Sequence, residues 1–161
     1  MKFALLILLL LSSLSLSSPL SFQQQDKAKP DWKYLLSSED DRDTWKTYYD
    51  AANIERLPQG LVRVWLKQIP VTKNDAERQR IVNALIANRK INNMKTEGYD
   101  KFAYSLTLVE FDCSGRKGRS IAIKDYDQAQ KELSSDAREE APFAPVPAGS
   151  MSAVVMEAAC K

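Results

Sequence analysis

The sequence predicts an α+β domain: a mostly antiparallel β-sheet meander with helices packed on one face. Three observations predict it. Apolar and polar residues alternate with period two between strong turn signals, most clearly at residues 61–69 (LVRVWLKQI) and 99–113 (YDKFAYSLTLVEFDC). Only residues 72–94 and a short terminal stretch at 151–160 read as substantial helices. The 161 residues suit one domain, and no segment repeats.

Each element follows in chain order. Residues 31–36 (DWKYLL) set Trp32, Tyr34 and Leu36 against Lys33 and Leu35, as a first strand would. Residues 37–43 are acidic and turn-like. Residues 45–50 (WKTYYD) read as a second strand and 54–57 as a short third, followed by the turn Pro58-Gln59-Gly60. In 61–69, Val62, Val64 and Leu66 fall on one face; Arg63, Trp65 and Lys67 fall on the other. Pro70 ends that strand.

A helix is expected over 72–94, with Thr72 or Asn74 as its cap and Asp75 and Glu77 in its first turn. Its apolar patch is Ile81, Val82, Leu85 and Ile86. The strand at 99–113 changes phase: Phe102, Tyr104, Leu106 and Leu108 share one alternation, Val109, Phe111 and Cys113 the other. Either a β-bulge near Val109 resets the alternation, or both faces are covered there. Residues 114–118 (SGRKG) form a hairpin turn, and 119–126 return as a strand. Residues 127–135 read as a short helix or turn. Residues 136–147 carry three prolines and read as a connecting loop or edge segment. Ser150 caps the terminal helix, whose sole charge before Lys161 is Glu157, so most of its surface is expected to be buried.

The first residues address the chain for export. Lys2 and the apolar run 3–11, too short to cross a bilayer well, read as a secretory signal expected to span 1–21; an uncleaved N-terminal anchor is the alternative. A disordered polar leader follows at 22–30, then a single domain at 31–161. No cysteine lies near the cleavage region, so a lipid anchor is not expected, and no other stretch is apolar enough to span a membrane. The two cysteines, Cys113 and Cys160, meet an oxidising compartment after export. They allow one intramolecular bridge; two buried free thiols or an intermolecular bridge are the alternatives.

The chain lacks histidine, which removes Ser-His-Asp and Cys-His nucleophiles and His-ligated zinc. Its net charge of +2 argues against a dedicated nucleic-acid binder. The carboxylate pairs Asp40-Asp41 and Glu139-Glu140 read as solvated surface, so neither a catalytic set nor a cofactor nor a metal site is expected. Two features could bind a partner. Arg63, Trp65 and Lys67 share a strand face, a tryptophan between two cations. Exposed, they suit an acidic protein, a sulfated glycan or an aromatic ligand. The commoner arrangement, and the one expected, packs Trp65 under a helix while the cations splay into water. Arg116, Lys117 and Arg119 form a basic hairpin tip that could meet an anionic glycan, although a solvated turn is the usual meaning of such charges.

Three blocks carry a resemblance. Residues 45–69 (WKTYYDAANIERLPQGLVRVWLKQI) contain an aromatic-Asp turn (Tyr48-Tyr49-Asp50), Asn53-Ile54 and a Val-x-Val-Trp-x-Lys strand ending at Lys67. Residues 106–123 (LTLVEFDCSGRKGRSIAI) have an acidic-Cys strand end and a basic returning strand. Residues 145–160 (PVPAGSMSAVVMEAAC) form a Ser-capped helix ending in cysteine. In this order they resemble the bacterial surface-adhesin protein E family. The resemblance implies an antiparallel sheet with packed helices and a Cys113–Cys160 pair. It also implies non-catalytic adhesion to extracellular-matrix-type proteins, as that family binds vitronectin and laminin at the cell surface. A periplasmic structural or envelope-associated role with no host ligand is the alternative expectation.

Overall fold

Strand β4 (Leu61–Val71) organises the molecule because its alternation separates two environments. Val62, Val64 and Leu66 are buried on one face, while Arg63, Trp65 and Lys67 stand half-buried on the other. The computed structural model describes residues 28–39, 44–138 and 141–161. The expected signal peptide, most of the leader, and the pairs Asp40-Asp41 and Glu139-Glu140 lie outside the described residues.

Around β4 lie β1 (Trp32–Glu39), β2 (Thr44–Asp50), β3 (Glu55–Arg56), β5 (Phe102–Asp112), β6 (Lys117–Asp127), β7 (Glu132–Ala137) and β8 (Ala144–Pro145). They pair antiparallel in one sheet, in the order β1-β2-β4-β5-β6-β7, with β3 on β4 and β8 on β6. Consecutive strands are mostly neighbours, as short connections favour. The two helices, α1 (Asp75–Ile91) and α2 (Met151–Ala159), cover the same face. Trp45 and Thr47 of β2 share that face: Trp45 packs in the α1 cluster, and the Thr47 hydroxyl donates to Met151 Sδ of α2 at 3.7 Å. The expected fold class is therefore the observed one.

The main core lies under α2. Val62, Val64, Leu66, Val109 and Phe111 of the sheet meet Ala153, Val155, Met156 and Ala159 of the helix. Nine residues are too few for a helix to persist alone in water. α2 is held by this burial, by the Ser150 cap (Ala153 N–H to Oγ, 3.2 Å), and by a disulfide from Cys160 to Cys113 at the end of β5. The expected intramolecular pairing is thus present, and no described cysteine is free.

Helix α1 is shorter than the 72–94 expected. Asn74, not Thr72, caps it by accepting from Glu77 N–H at 2.9 Å, and Asn93, at φ 53°, leaves the helical region beyond its end. Of its apolar positions only Ile81 and Val82 are buried, Leu85 and Ile86 are half-buried, and Ile91 is exposed. Residues 127–135, expected as a short helix or turn, do turn at 128–129, but from Glu132 they enter β7, a strand that was not expected. The edge of β6 offers unpaired backbone groups there, and Ser134 is drawn inward by hydrogen bonds.

The phase change in β5 fits neither explanation as stated: the alternation is not reset at Val109 in this strand, and only the face of Val109 and Phe111 is covered by a helix. β5 alternates without a break along β4, and both of its faces carry apolar residues: Leu106 and Leu108 on one, Val109 and Phe111 on the other. A bulge does occur at this level, but its extra residue, Ile121, is in β6: Leu108 faces Ala122 and Val109 faces Ser120.

A second cluster sits under α1, where Val82, Tyr99 and Phe102 meet half-buried Trp45, Leu85, Ile86 and Leu133. Beside it the buried Asp125 collects four donors: Tyr99 Oη at 2.5 Å, Ser105 Oγ at 2.6 Å, Ser134 Oγ at 3.1 Å and Arg89 Nη1 at 3.4 Å. Burial, then the bond to Asp125, pushes the Tyr99 hydroxyl well above the ordinary tyrosine range. Tyr99→Phe deletes one donor from a buried carboxylate and is expected to cost about 1–3 kcal/mol. Urea unfolding at neutral pH measures it; an unchanged midpoint would mean the remaining donors compensate.

Candidate functional site

The face away from the helices is built of cross-strand rows. One row runs Glu55, Arg63, Glu110, Arg119; the next contains Trp32, Asp50, Trp65 and Leu108; a third runs Tyr34, Tyr48, Lys67, Leu106, Lys124. The pairing of six strands, with the β6 bulge at Ile121 restoring the phase, brings these side chains to one surface. The pairing of Tyr104 with Tyr126 extends it, their rings stacked with centroids 5.1 Å apart.

Trp65 corrects an expectation. It does not pack under a helix, because the helix-facing phase of β4 is taken by Val62, Val64 and Leu66. Trp65 instead lines a cleft of about 320 Å³ with Trp32, Leu106, Asp50, Lys29 and Pro30. The cleft wall is mostly apolar because the buried Asp50 carboxylate is already committed. It accepts from Asp31 N–H (3.0 Å), Ala52 N–H (3.2 Å) and Asn53 Nδ2 (2.7 Å). Asn53 Nδ2 also donates to Ala28 O at 3.0 Å, which holds the segment entering the domain against the cleft.

The two cations of the stripe do different things. Lys67 Nζ stands 4.1 Å from the centroid of Tyr104 and 5.8 Å from that of Trp32, and no carboxylate pairs with it among the described residues. Burial holds its pKa below the ordinary lysine value. Arg63 is not splayed into water: its Nε donates to Glu110 Oε2 at 2.6 Å.

Arg119 leaves the hairpin tip for the same partner. Its Nη2 and Nε donate to Glu110 Oε1 at 2.6 and 2.9 Å, and its guanidinium lies 4.5 Å from the ring of Phe143. Glu110 is 1% exposed. Burial pushes its pKa up, but the two guanidiniums outweigh this and hold it below the usual carboxylate value of 4.5. Arg116 and Lys117 remain exposed at the tip. There Asp112 accepts from Gly115 N–H at 2.8 Å and Ser114 Oγ at 2.9 Å, and a Cβ on Gly115 would come within 2.2 Å of that carboxylate.

The structure thus brings Arg63 and Arg119 together, sets Trp65 and Lys67 beside Trp32, and leaves Arg116 and Lys117 apart at the tip. Sequence reasoning missed Glu110, Trp32 and Tyr104 as members of this surface. The cross-strand register, rather than any local pattern, unites them; the signal available was that they share the phase of their strands with Trp65 once the pairing is known.

A single sheet carries helices on one face and aromatic and cationic side chains on the other, which neither α1 nor α2 covers. Among the described residues no group of three or more metal-ligating side chains converges, and no helix is long and apolar enough to cross a membrane. The family model described as Surface-adhesin protein E matches residues 32–161, and the chain belongs to that family. Membership implies a non-enzymatic, adhesin-like role and an exported or cell-surface location. Comparison with curated proteins and with solved structures gives no match.

Proposed function

We propose that the chain is an exported binding module, freed of a signal peptide at 1–21, whose open sheet face contacts an extracellular-matrix-type protein or an anionic glycan without catalysis. The observation that carries this reading is Lys67, a half-buried ammonium among aromatic rings on a sheet face that neither α1 nor α2 covers. Trp65 supplies contact area, and Arg116 and Lys117 supply a basic flank at one end of the sheet. Arg63 and Arg119 support the surface through Glu110 more than they address a partner.

The test is a binding screen on immobilised matrix proteins and sulfated glycans. Lys67→Glu, and separately the pair Arg116→Glu with Lys117→Glu, are expected to weaken binding by about tenfold at low salt, with the difference shrinking as salt rises. Arg63→Glu is unsuitable because it would set a second carboxylate against buried Glu110. Equal affinity of these variants and the unaltered protein at low salt would remove the open face from the reading. Protease shaving of intact cells checks location: loss of the protein places it outside, and protection until the envelope is opened favours the periplasmic alternative.

A further inference from the structure

Among the described residues three buried carboxylates have their charge met by donors. Asp125 has four donors, Glu110 has two arginines, and Asp50 has three N–H groups. Lys67 has aromatic rings and, among the described residues, no anion. A half-buried ammonium keeps part of its desolvation cost until an anion meets it. Directly across the strand pair from Lys67 is Leu106, which lines the cleft, and Trp32 borders both the cleft and the ammonium. Lys67 does not itself line the cleft, but it adjoins two residues that do, Trp32 and Leu106.

We propose that this site takes a small aromatic carboxylate, its ring against Trp32 and Trp65 and its carboxylate on the Lys67 ammonium. The cleft, about 320 Å³, lies at the lower end of the range for small-molecule sites, which matches one or two fused rings. Its lining fits the same ligand: apolar walls with few polar groups available. Asp50 fixes the orientation, since a carboxylate bound at its end of the cleft would meet a like charge. Lys29, exposed at the rim, is the competing cation. The subsite does not depend on a macromolecular partner docking on the same face, and it stands or falls separately from that reading.

The probe is 3-phenylpropionate, titrated into ¹⁵N-labelled protein with the indole N–H signals followed by NMR. Trp32 and Trp65 are expected to shift saturably, with a dissociation constant on the order of millimolar. Trp45, on the helix-covered face, is the internal control and is expected to stay still. The neutral amide, 3-phenylpropionamide, is expected to bind at least about tenfold more weakly, as is the acid to Lys67→Met, and the loss in Lys67→Met is expected to exceed any loss in Lys29→Met. The amide comparison needs no variant, so a folding defect in Lys67→Met cannot obscure the result. Absence of saturable shifts at Trp32 and Trp65 would overturn the proposal. So would equal affinity for acid and amide, or loss of binding in Lys29→Met with Lys67→Met unaffected.

Discussion

Removing the Cys113–Cys160 bridge is expected to lower the stability of the fold by about 4 kcal/mol, the chain-entropy value for a loop of this length. The separation of 47 residues encloses β6, β7, β8 and α2, so the unbridged chain regains freedom over the whole C-terminal part of the domain. Urea unfolding of the oxidised protein and of the double variant Cys113→Ala, Cys160→Ala measures the difference. The loss is expected to concentrate in α2, which is too short to persist once its tether is cut. In hydrogen exchange its amides should lose protection before those of β4 and β5. Equal midpoints would mean that the Val155 and Met156 contacts alone hold the helix in place.

The second large effect is expected at Glu110. Glu110→Gln keeps the shape of the side chain but leaves Arg63 and Arg119 facing one another without their shared counter-charge. Breaking a fully buried ion pair costs about 3–5 kcal/mol; because the two arginines are partly exposed and can be hydrated, the cost here is expected at or below the lower end, about 2–3 kcal/mol at neutral pH. Its sign with pH follows from the lowered carboxylate pKa. The stabilisation from Glu110 is fully present above the unfolded value near 4.5 and is lost as pH falls through the lower folded value. The stability gap between the unaltered protein and Glu110→Gln should therefore close on acidification below that point. A gap that stays constant through the acid range would mean that shape or hydrogen-bond geometry, not charge, sets the cost.

These two sites differ in how far the sequence disclosed them. Two cysteines in an exported chain already raise the question of a bridge, and the residues flanking them resemble one family in both blocks. Glu110 gave no such signal. It sits in a strand of apolar neighbours, and its two partners are 47 and 9 residues away. Only the β4-β5-β6 register brings them together.

The same contrast runs through the fold. The alternation in β4 was legible because one face is aliphatic and the other is not. The alternation in β5 was ambiguous because both faces carry apolar side chains, and apolar pattern alone cannot say which is under a helix. β7 was missed because residues 132–137 (ELSSDA) have weak strand propensity, and the pairing with β6 overrides it. On the open face, the Arg63-Trp65-Lys67 triplet was visible as a period-two pattern. Its division into a structural arginine and an unpaired lysine was not, because that depends on which strand lies alongside.

The placement of the bridge also governs what a protease can do to this protein. Exposed peptide bonds lie throughout the stretch it encloses, including Pro145, Pro147, Ala148 and Gly149 ahead of α2. A single cut anywhere between Cys113 and Cys160 yields two chains that stay covalently joined. The C-terminal fragment keeps α2 seated on the sheet, and nothing is shed from the surface that presents Trp65 and Lys67. Cleavage in an oxidising environment would thus be invisible to size under non-reducing conditions and appear as two fragments only when thiols are added.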